Sequence, residues 1–244
     1  MEYLLGMDIG TTNQKAILST LDGKPVASVS RRNETLVVEN RAEQEPEHWW
    51  KNTLEILAEL EQKLGSGTGK AIRGICVSGH AVSLLPVDAA GTPLRRAMIW
   101  MDSRSDSELT WLLEQIGRER FCSIVGAQPS PSFLPGKLLW FRKNEPELMN
   151  KTACLLQANS FITSRLTGRF TIDLDQAAKS QCLDVSHGQW SREIGEAIGV
   201  ELDQLLPPPQ SPQTIAGTVT RQAAEQTGLA EGTPVLTGCS DAVA

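Results

Sequence analysis

The sequence of 244 residues lacks a basic excess, since 23 Lys and Arg stand against 29 Asp and Glu, for a net charge of -6. Proteins that bind nucleic acid through its phosphates need the opposite balance, so we expect no nucleic-acid partner. The sequence also lacks an apolar run long enough to cross a bilayer. Its N-terminus lacks the basic segment and apolar core of a signal peptide. We therefore expect no membrane partner.

Cysteine is scarce, and its spacing suggests no pairing. The five cysteines are odd in number and scattered, and no two have CxxC or zinc-site spacing. This usage is typical of free thiols in a reducing compartment, so the predicted location is the cytoplasm.

Hydrophobic periodicity predicts an α/β fold. Strands at 3–9, 15–20 and 25–32, the last two joined by a DG turn, predict an antiparallel meander. Pro46 begins a helix that Gly65 ends, and the apolar run 71–78 predicts a buried strand. The other predicted elements are a hairpin of 82–87 with 95–100, helices at 102–116, 138–143, 160–167, 191–198 and 221–226, and a strand at 233–239. This order fits a ribonuclease-H-like lobe, as in actin-type ATPases, in which helices flank a mixed sheet with an antiparallel meander.

Small polar residues form the tip of the first hairpin, namely Gly10, Thr11, Thr12 and Asn13. Glycine lets the backbone approach a ligand, and hydroxyl and N–H groups around it can cradle a phosphate. Lys15 adds a positive charge behind this turn. The alternative is a polar hairpin whose glycine only shapes the turn.

Two aspartates stand at the ends of predicted strands, one near each end of the sequence. Asp8 is placed to hold hydrated Mg²⁺, which prefers one or two carboxylates together with phosphate oxygens. Asp241 can accept a proton from an attacking hydroxyl. The alternative for Asp241 is a helix N-cap, where the helix dipole would lower its pKa and weaken it as a base.

Two further segments are candidates for contact with a sugar. Ser78, Gly79, His80 and Ala81 leave a buried strand at its end, where open sheets bind ligands. The His80 ring can hydrogen-bond a polyol, or it can be a structural histidine.

The second such segment has an aspartate and an arginine one residue apart. Asp102 and Arg104 lie beside Trp100 at a predicted strand-to-helix junction, where an aromatic ring and a charged pair can bind a sugar. Alternatively, Asp102 or Ser103 caps the helix and Trp100 is a core residue.

In this order, the segments resemble those of the FGGY carbohydrate kinases, and most of all the xylulokinase-like branch. Seven stretches carry the resemblance from the first strand to the last residue: DIGTTNQKA, EPEHWW, VSGH, IWMDSR, SFLPGKLLWFRKNEP, SRLTGRF and GTPVLTGCSDAVA. Leu134 departs from the family's lysine-tryptophan signature. His80, Ala81 and Val82 stand where the xylulokinases have a Gln-Met-His run, a departure that puts xylulose itself in question.

The resemblance implies a two-lobed, actin-like enzyme that binds ATP and Mg²⁺ in its cleft and the sugar deeper, against the first lobe. By position, it implies Asp8 as the Mg²⁺-associated carboxylate, the turn at residues 10–12 as the phosphate site and Asp241 as the general base. It also places Asp102 at a sugar hydroxyl, supported by Arg104, and Asn159 at the border of the sugar pocket.

The family's chains are about twice as long as this one, in keeping with two domains of ~200 residues or more. The resemblance therefore implies that residues 1–234 form the N-terminal lobe, with helical insertions, and that residues 235–244 start the second. Such a piece is expected to be inactive alone. The apolar Trp and Leu helices leave room for a homodimer.

The predicted reaction of the whole enzyme is ATP-dependent phosphorylation of a ketose such as a pentulose. One alternative is a gluconate kinase, or a kinase for another sugar acid or polyol. An alternative of another class is a non-catalytic lobe that binds sugar or acts as an actin-like nucleotide switch.

Overall fold

The computed structural model describes residues 1–243. The predicted antiparallel meander is confirmed, and it consists of β1 (Tyr3–Ile9), β2 (Asn13–Thr20) and β3 (Pro25–Arg32). Asn13 thus belongs to a strand rather than to the hairpin tip. The next elements are β4 (Leu36–Val38), β5 (Arg41–Gln44), α1 (Pro46–Leu64), a 3₁₀ turn (Gly69–Ala71) and β6 (Ile72–Gly79).

Helix α1 packs against β2 and β3 and covers one face of the meander. Pro46 occupies its first turn together with the acidic Glu47, and Gly65 ends it with a φ of 104°. Pro46 and Glu47 favour the start of a helix, because proline presets φ and an acidic side chain complements the helix dipole. Trp49 and Ile56 are buried on its inner face.

A mostly helical region follows β6 and has a hydrophobic core of its own. Its elements are β7 (Leu85–Val87), β8 (Ala97–Met98), α2 (Asp106–Ile116), α3 (Arg118–Val125), α4 (Leu134–Asn144), α5 (Pro146–Lys151), β9 (Cys154–Leu156), α6 (Ala158–Thr167), β10 (Ile172–Asp173), α7 (Leu174–Lys179), β11 (Leu183–Asp184), β12 (Gln189–Trp190), α8 (Arg192–Ile198), α9 (Leu202–Leu205) and β13 (Pro209–Gln210).

Several predictions for this region are wrong in detail. The hairpin predicted for 82–87 with 95–100 forms only in part, as an isolated antiparallel bridge between Leu84 and Met98, while β7 pairs with β9 and β8 pairs with β5. Helix α2 begins at Asp106 rather than at residue 102, and α4 begins at Leu134, four residues before its predicted start. Helices α3, α5, α7 and α9 were not predicted.

The chain returns to the main sheet through β14 (Ile215–Thr218), α10 (Arg221–Thr227), β15 (Pro234–Leu236) and β16 (Cys239–Ser240). The sheet has the order β14-β15-β6-β1-β2-β3, with β16 also paired to β6. Strands β6, β15 and β16 run parallel to one another and β6 runs parallel to β1, whereas the meander is antiparallel. This mixed sheet, with α1 and α6 packed on it, confirms the predicted ribonuclease-H-like α/β lobe.

Gly238 divides the predicted strand 233–239 into β15 and β16. Its φ is 82°, and a Cβ at this position would lie 1.9 Å from the carbonyl oxygen of Val77. Only glycine fits this backbone contact between neighbouring strands. Across residues 1–243, the structure contains no helix with the length and hydropathy needed to span a membrane.

Candidate functional site

Asp8 and Asp241 flank the same strand end, although 233 positions separate them in the sequence. Asp8 is the register partner of Ser78, and its Oδ1 accepts a hydrogen bond from the Ser78 hydroxyl at 2.9 Å. On the other side of β6, the backbone N–H of Asp241 donates to the carbonyl oxygen of Gly79 at 2.9 Å. The parallel pairing of β6 with both β1 and β16 therefore brings these two carboxylates together.

The Asp241 carboxyl has a raised pKa, contrary to the lowering expected for a helix N-cap. Partial burial is the main cause, the nearby charge of Asp8 adds to it, and Lys179 opposes both. A raised pKa brings a carboxylate closer to the range in which it works well as a general base.

The turn at residues 10–12 lies directly beyond Asp8. A Cβ on Gly10 would lie 2.7 Å from the carbonyl oxygen of Asn13, so the tight turn requires glycine. The indole Nε1 of Trp100 donates to the Thr11 hydroxyl at 2.9 Å, which places this ring over the turn rather than in the core. Thr12 is exposed.

Lys15 lies beside Asp8 on the neighbouring strand, as its register partner. A groove with a volume of about 410 Å³ opens in front of this pair and is lined by Gly6, Met7, Asp8, Lys15, Ile17, Cys76, Ser78 and Cys239. The two charged side chains and the Ser78 hydroxyl thus share one open surface.

His80 is enclosed by the protein, with only 1% of its surface exposed. Its ring packs edge-on against Trp49 at 5.6 Å, and its Nδ1 lies 3.4 Å from the Ser83 hydroxyl. Burial lowers its pKa to about 4, and the charge of Lys137 adds to this shift. Its Nε2 has no hydrogen-bond partner among the described residues. Contact of His80 and the neighbouring Ala81 with a sugar stays a prediction.

Asp102 does not cap helix α2. Its Oδ2 accepts from the backbone N–H of Ala42 at 2.8 Å, and both of its oxygens accept from Arg104. Arg104 also pairs with Glu43 at 2.7 Å and lies 5.0 Å from the ring centre of Trp140. The capping interpretation is wrong for Asp102 and for Ser103, because Ser105 is the N-cap residue of α2. Asp102 is fully buried, and its contact with a sugar stays a prediction.

Asn159, in helix α6, connects β10 to β16 through its side chain. Its Nδ2 donates to Asp173 at 3.1 Å and to the carbonyl oxygen of Cys239 at 3.3 Å. The backbone N–H of Asn159 lies 3.0 Å from where a Cβ on Gly79 would be, so glycine permits this close packing. Asn159 is buried, and its place at the border of a sugar pocket stays a prediction.

Helix α7 supplies site residues that the sequence analysis did not identify. Lys179 donates to Asp175 at 2.9 Å and to the Ser240 hydroxyl. Asp175 in turn accepts from the backbone N–H of Ser240 at 3.3 Å and from its hydroxyl. We name Asp175 and Lys179 the α7 clamp, because they hold the residue that precedes Asp241. The i, i+4 spacing of opposite charges was visible in the sequence, but its target was not.

Lys137 is a second residue that was not predicted for the site, although it lies within the lysine-tryptophan stretch. Its ammonium donates to the carbonyl oxygens of Ile99 and Ser132 at 2.6 and 2.7 Å. Burial lowers its pKa to about 7, against the opposing charge of Asp102. The bond from Lys137 to the Ile99 carbonyl fixes the segment that leads into Trp100 and Asp102.

Comparison with known proteins identifies the family. The FGGY family of carbohydrate kinases, N-terminal domain, matches residues 3–244. The chain belongs to this family. It is 33% identical to the xylulose kinase of Bacillus subtilis (strain 168) over 243 residues, which cover 99% of this chain and 48% of the relative.

Two solved structures share the fold of this FGGY domain. The xylulose kinase from Rhodospirillum rubrum superimposes with a TM-score of 0.93 at 29% identity, over 99% of this chain and 49% of that one. The gluconate kinase from Lactobacillus acidophilus gives 0.90 at 25% identity, over 98% of this chain and 48% of that one. The chain spans about half the length of the curated relatives it matches.

Proposed function

We propose that this chain is the N-terminal lobe of an ATP-dependent sugar kinase, with residues 1–234 forming the lobe and residues 235–244 leading into the second. The proposed substrate is a ketose such as a pentulose, phosphorylated on a primary hydroxyl. The observation that carries the proposal is the placement of Asp8 and Asp241 on either side of Ser78 and Gly79.

In this proposal Asp241 is the catalytic residue. Its carboxylate orients the sugar hydroxyl and accepts its proton while the hydroxyl oxygen bonds to the γ-phosphorus and the bond from phosphorus to the bridging oxygen of ADP breaks. Phosphoryl transfer depends mainly on positioning and charge balance. The Thr11–Thr12 turn and Lys15 would bind the phosphate oxygens, and the turn's N–H groups would supply neutral donors.

Asp8 fits a site for Mg²⁺, whose role when bound would be to neutralise phosphate charge. The ion prefers few carboxylates together with phosphate oxygens and waters. In residues 1–243 no group of three or more His, Cys, Asp or Glu could hold a metal without such help. A cation held beside Asp8 and Asp241 would offset the charge of Asp8, which contributes to the raised pKa of Asp241.

The identity of the sugar is a separate part of the proposal. Similarity to xylulose kinases supports a ketose. Similarity to a gluconate kinase supports the alternative of a sugar acid, whose carboxylate would need a cation. Contacts of Ser78, Gly79, His80, Ala81, Asp102, Arg104 and Asn159 with the sugar belong to this proposal.

A cytoplasmic location is also proposed, and it is supported by five cysteines that are all free. A homodimer stays a prediction.

The test is an assay of the full-length enzyme for sugar-dependent ADP release, using pentuloses, hexuloses and sugar acids with MgATP. A rate of ADP release with one pentulose that is well above the rates with the other sugars supports the ketose proposal. A preference for gluconate selects the alternative. Binding of sugar or nucleotide without any release would contradict a kinase and support the non-catalytic lobe.

A further inference from the structure

Each of the three backbone carbonyls of the turn at residues 10–12 accepts a hydrogen bond from Asn33 or Gln44. The side-chain Nδ2 of Asn33 donates to the Gly10 oxygen at 2.7 Å, and the side-chain Nε2 of Gln44 donates to the Thr11 oxygen at 2.7 Å. The backbone N–H of Asn33 donates to the Thr12 oxygen at 2.9 Å. Two residues thus hold three consecutive carbonyls.

These bonds fix the direction of the N–H groups as well. In a trans peptide the C=O and N–H groups point to opposite sides. The Gly10 carbonyl shares its peptide with the Thr11 N–H, and the Thr11 carbonyl shares its peptide with the Thr12 N–H. Because these two carbonyls face Asn33 and Gln44, the two N–H groups point away from Asn33 and Gln44. Within residues 1–243, these two N–H groups donate to no other group of the protein. Consecutive unpaired N–H groups on one side of a turn form an anion-binding concavity.

The orientation of the Gln44 amide is itself determined by its neighbours. The Gln44 Oε1 accepts from the indole N–H of Trp49 at 2.8 Å. Because an indole can only donate, the NH₂ end of the amide has to face Thr11 and the Thr35 hydroxyl. Gln44 is also 99% buried, since only 1% of its surface is exposed.

Asn33 is oriented in the same way, from helix α1. Its Oδ1 accepts from Asn52 Nδ2 at 2.9 Å, and that same Nδ2 donates to the carbonyl oxygen of Arg32 at 3.1 Å. A backbone carbonyl can only accept, so the Asn52 NH₂ faces both oxygens and leaves the Asn33 NH₂ for Gly10.

We propose that Asn33 and Gln44 are positioning residues for the phosphates of ATP: they hold the carbonyls of the turn back so that its N–H groups face the ligand. This inference rests on the proposed function, because it takes the turn as the phosphate site. Neither residue touches the nucleotide, and both act through the backbone of residues 10–12.

Variants that replace the two side-chain amides by apolar groups test this assignment. Gln44→Met and Asn33→Leu keep the volume of the side chain and add no charge near the phosphates. Gln14→Met is the matched control, because Gln14 is equally buried and bonds Thr53 of α1 but not the turn. The full-length enzyme and its three variants are assayed for KM toward MgATP and toward sugar. The 244-residue chain is titrated with inorganic tripolyphosphate while the Thr11 and Thr12 amide resonances are followed.

We expect each positioning variant to raise the KM for MgATP and weaken tripolyphosphate binding by roughly five- to tenfold, the size of one lost hydrogen bond. The KM for sugar should stay within about twofold, and Gln14→Met should behave like wild type. If Gln44→Met does not fold, Asn33→Leu carries the test alone, because it removes the bond to the Gly10 oxygen and leaves Gln44 in place.

Two results would overturn the inference alone: wild-type phosphate binding in both positioning variants, or an equal loss in Gln14→Met. A different result would overturn the proposed function as well, namely tripolyphosphate that leaves the wild-type Thr11 and Thr12 amides unshifted.

Discussion

The backbone N–H of Asp241 donates to the carbonyl oxygen of Gly79 at 2.9 Å, which fixes the last aspartate of the sequence to the end of a strand in the middle of the sheet. Gly79 is also the register partner of Ile9, next to the turn at residues 10–12 that we propose as the phosphate site. One strand end therefore sets the distance between the proposed base and the proposed phosphate site.

The α7 clamp predicts that Lys179 is needed for the full activity of Asp241. Lys179→Met removes the bond to Ser240 and the positive charge near Asp241, and we expect kcat to fall about tenfold, the equivalent of one hydrogen bond to a charged group. The KM for MgATP should change little. Steady-state kinetics of the full-length enzyme measure both constants.

Lys179→Arg is the control for this prediction, because it keeps the charge and the donors. It should recover most of the lost kcat. A folded Lys179→Met enzyme with normal kcat, or an arginine variant as impaired as the methionine variant, would contradict the positioning function of Lys179.

Gly238 predicts a large loss of stability on substitution by alanine. Its Cβ would lie 1.9 Å from the Val77 oxygen, so β16 would have to move away from β6. Gly23→Ala is the matched control, since Gly23 has a similar φ of 84° but open space around it. We expect about 1 kcal/mol from the backbone conformation alone in Gly23→Ala. In Gly238→Ala the loss should be several times larger. Urea unfolding of both variants measures the difference, and equal losses would show that the close strand contact is unimportant.

Burial of His80 predicts a loss of stability on acidification. Because its pKa falls to about 4 from the ordinary 6.5, the unfolded chain binds a proton between these values that the folded chain excludes. Folding is therefore favoured above pH 6.5 and loses free energy as the pH falls toward 4. We expect a contribution on the order of 2 kcal/mol between pH 7 and pH 5.

His80→Gln removes this titration, so its free energy of unfolding should depend less steeply on pH than that of the wild type. Urea unfolding at pH 7 and pH 5 gives the comparison, in which the titration of all other groups cancels. Parallel pH dependence in the two proteins would contradict the exclusion of the proton from buried His80.

The antiparallel meander could be predicted from the sequence, because the alternation of apolar residues and the DG turn are local signals. The observed pairing of β1 with β2 and of β2 with β3 agrees with these signals. Helix α1 was equally predictable from Pro46 and Gly65. Helices such as α3 and α7 were missed because they are only 8 and 6 residues long and carry little periodicity.

The site was only partly predictable for a related reason. Asp8, Gly10 and Asp241 stand at or next to strand ends, so local pattern was enough to propose them as site residues. The bond that Lys179 donates to Ser240 spans 61 positions, and the bond that the Ala42 N–H donates to Asp102 spans 60. Such contacts depend on the tertiary fold, so neither the α7 clamp nor the buried state of Asp102 could be read from spacing.

The most direct test of the account is the rate of sugar-dependent ADP release by full-length Asp241→Asn with its best sugar. Asparagine keeps the shape and the backbone bond to Gly79 but cannot accept the proton. We predict that kcat falls at least about a hundredfold, the usual scale for loss of a general base. The KM values should change little. A variant that binds both substrates and retains nearly normal kcat would contradict the account.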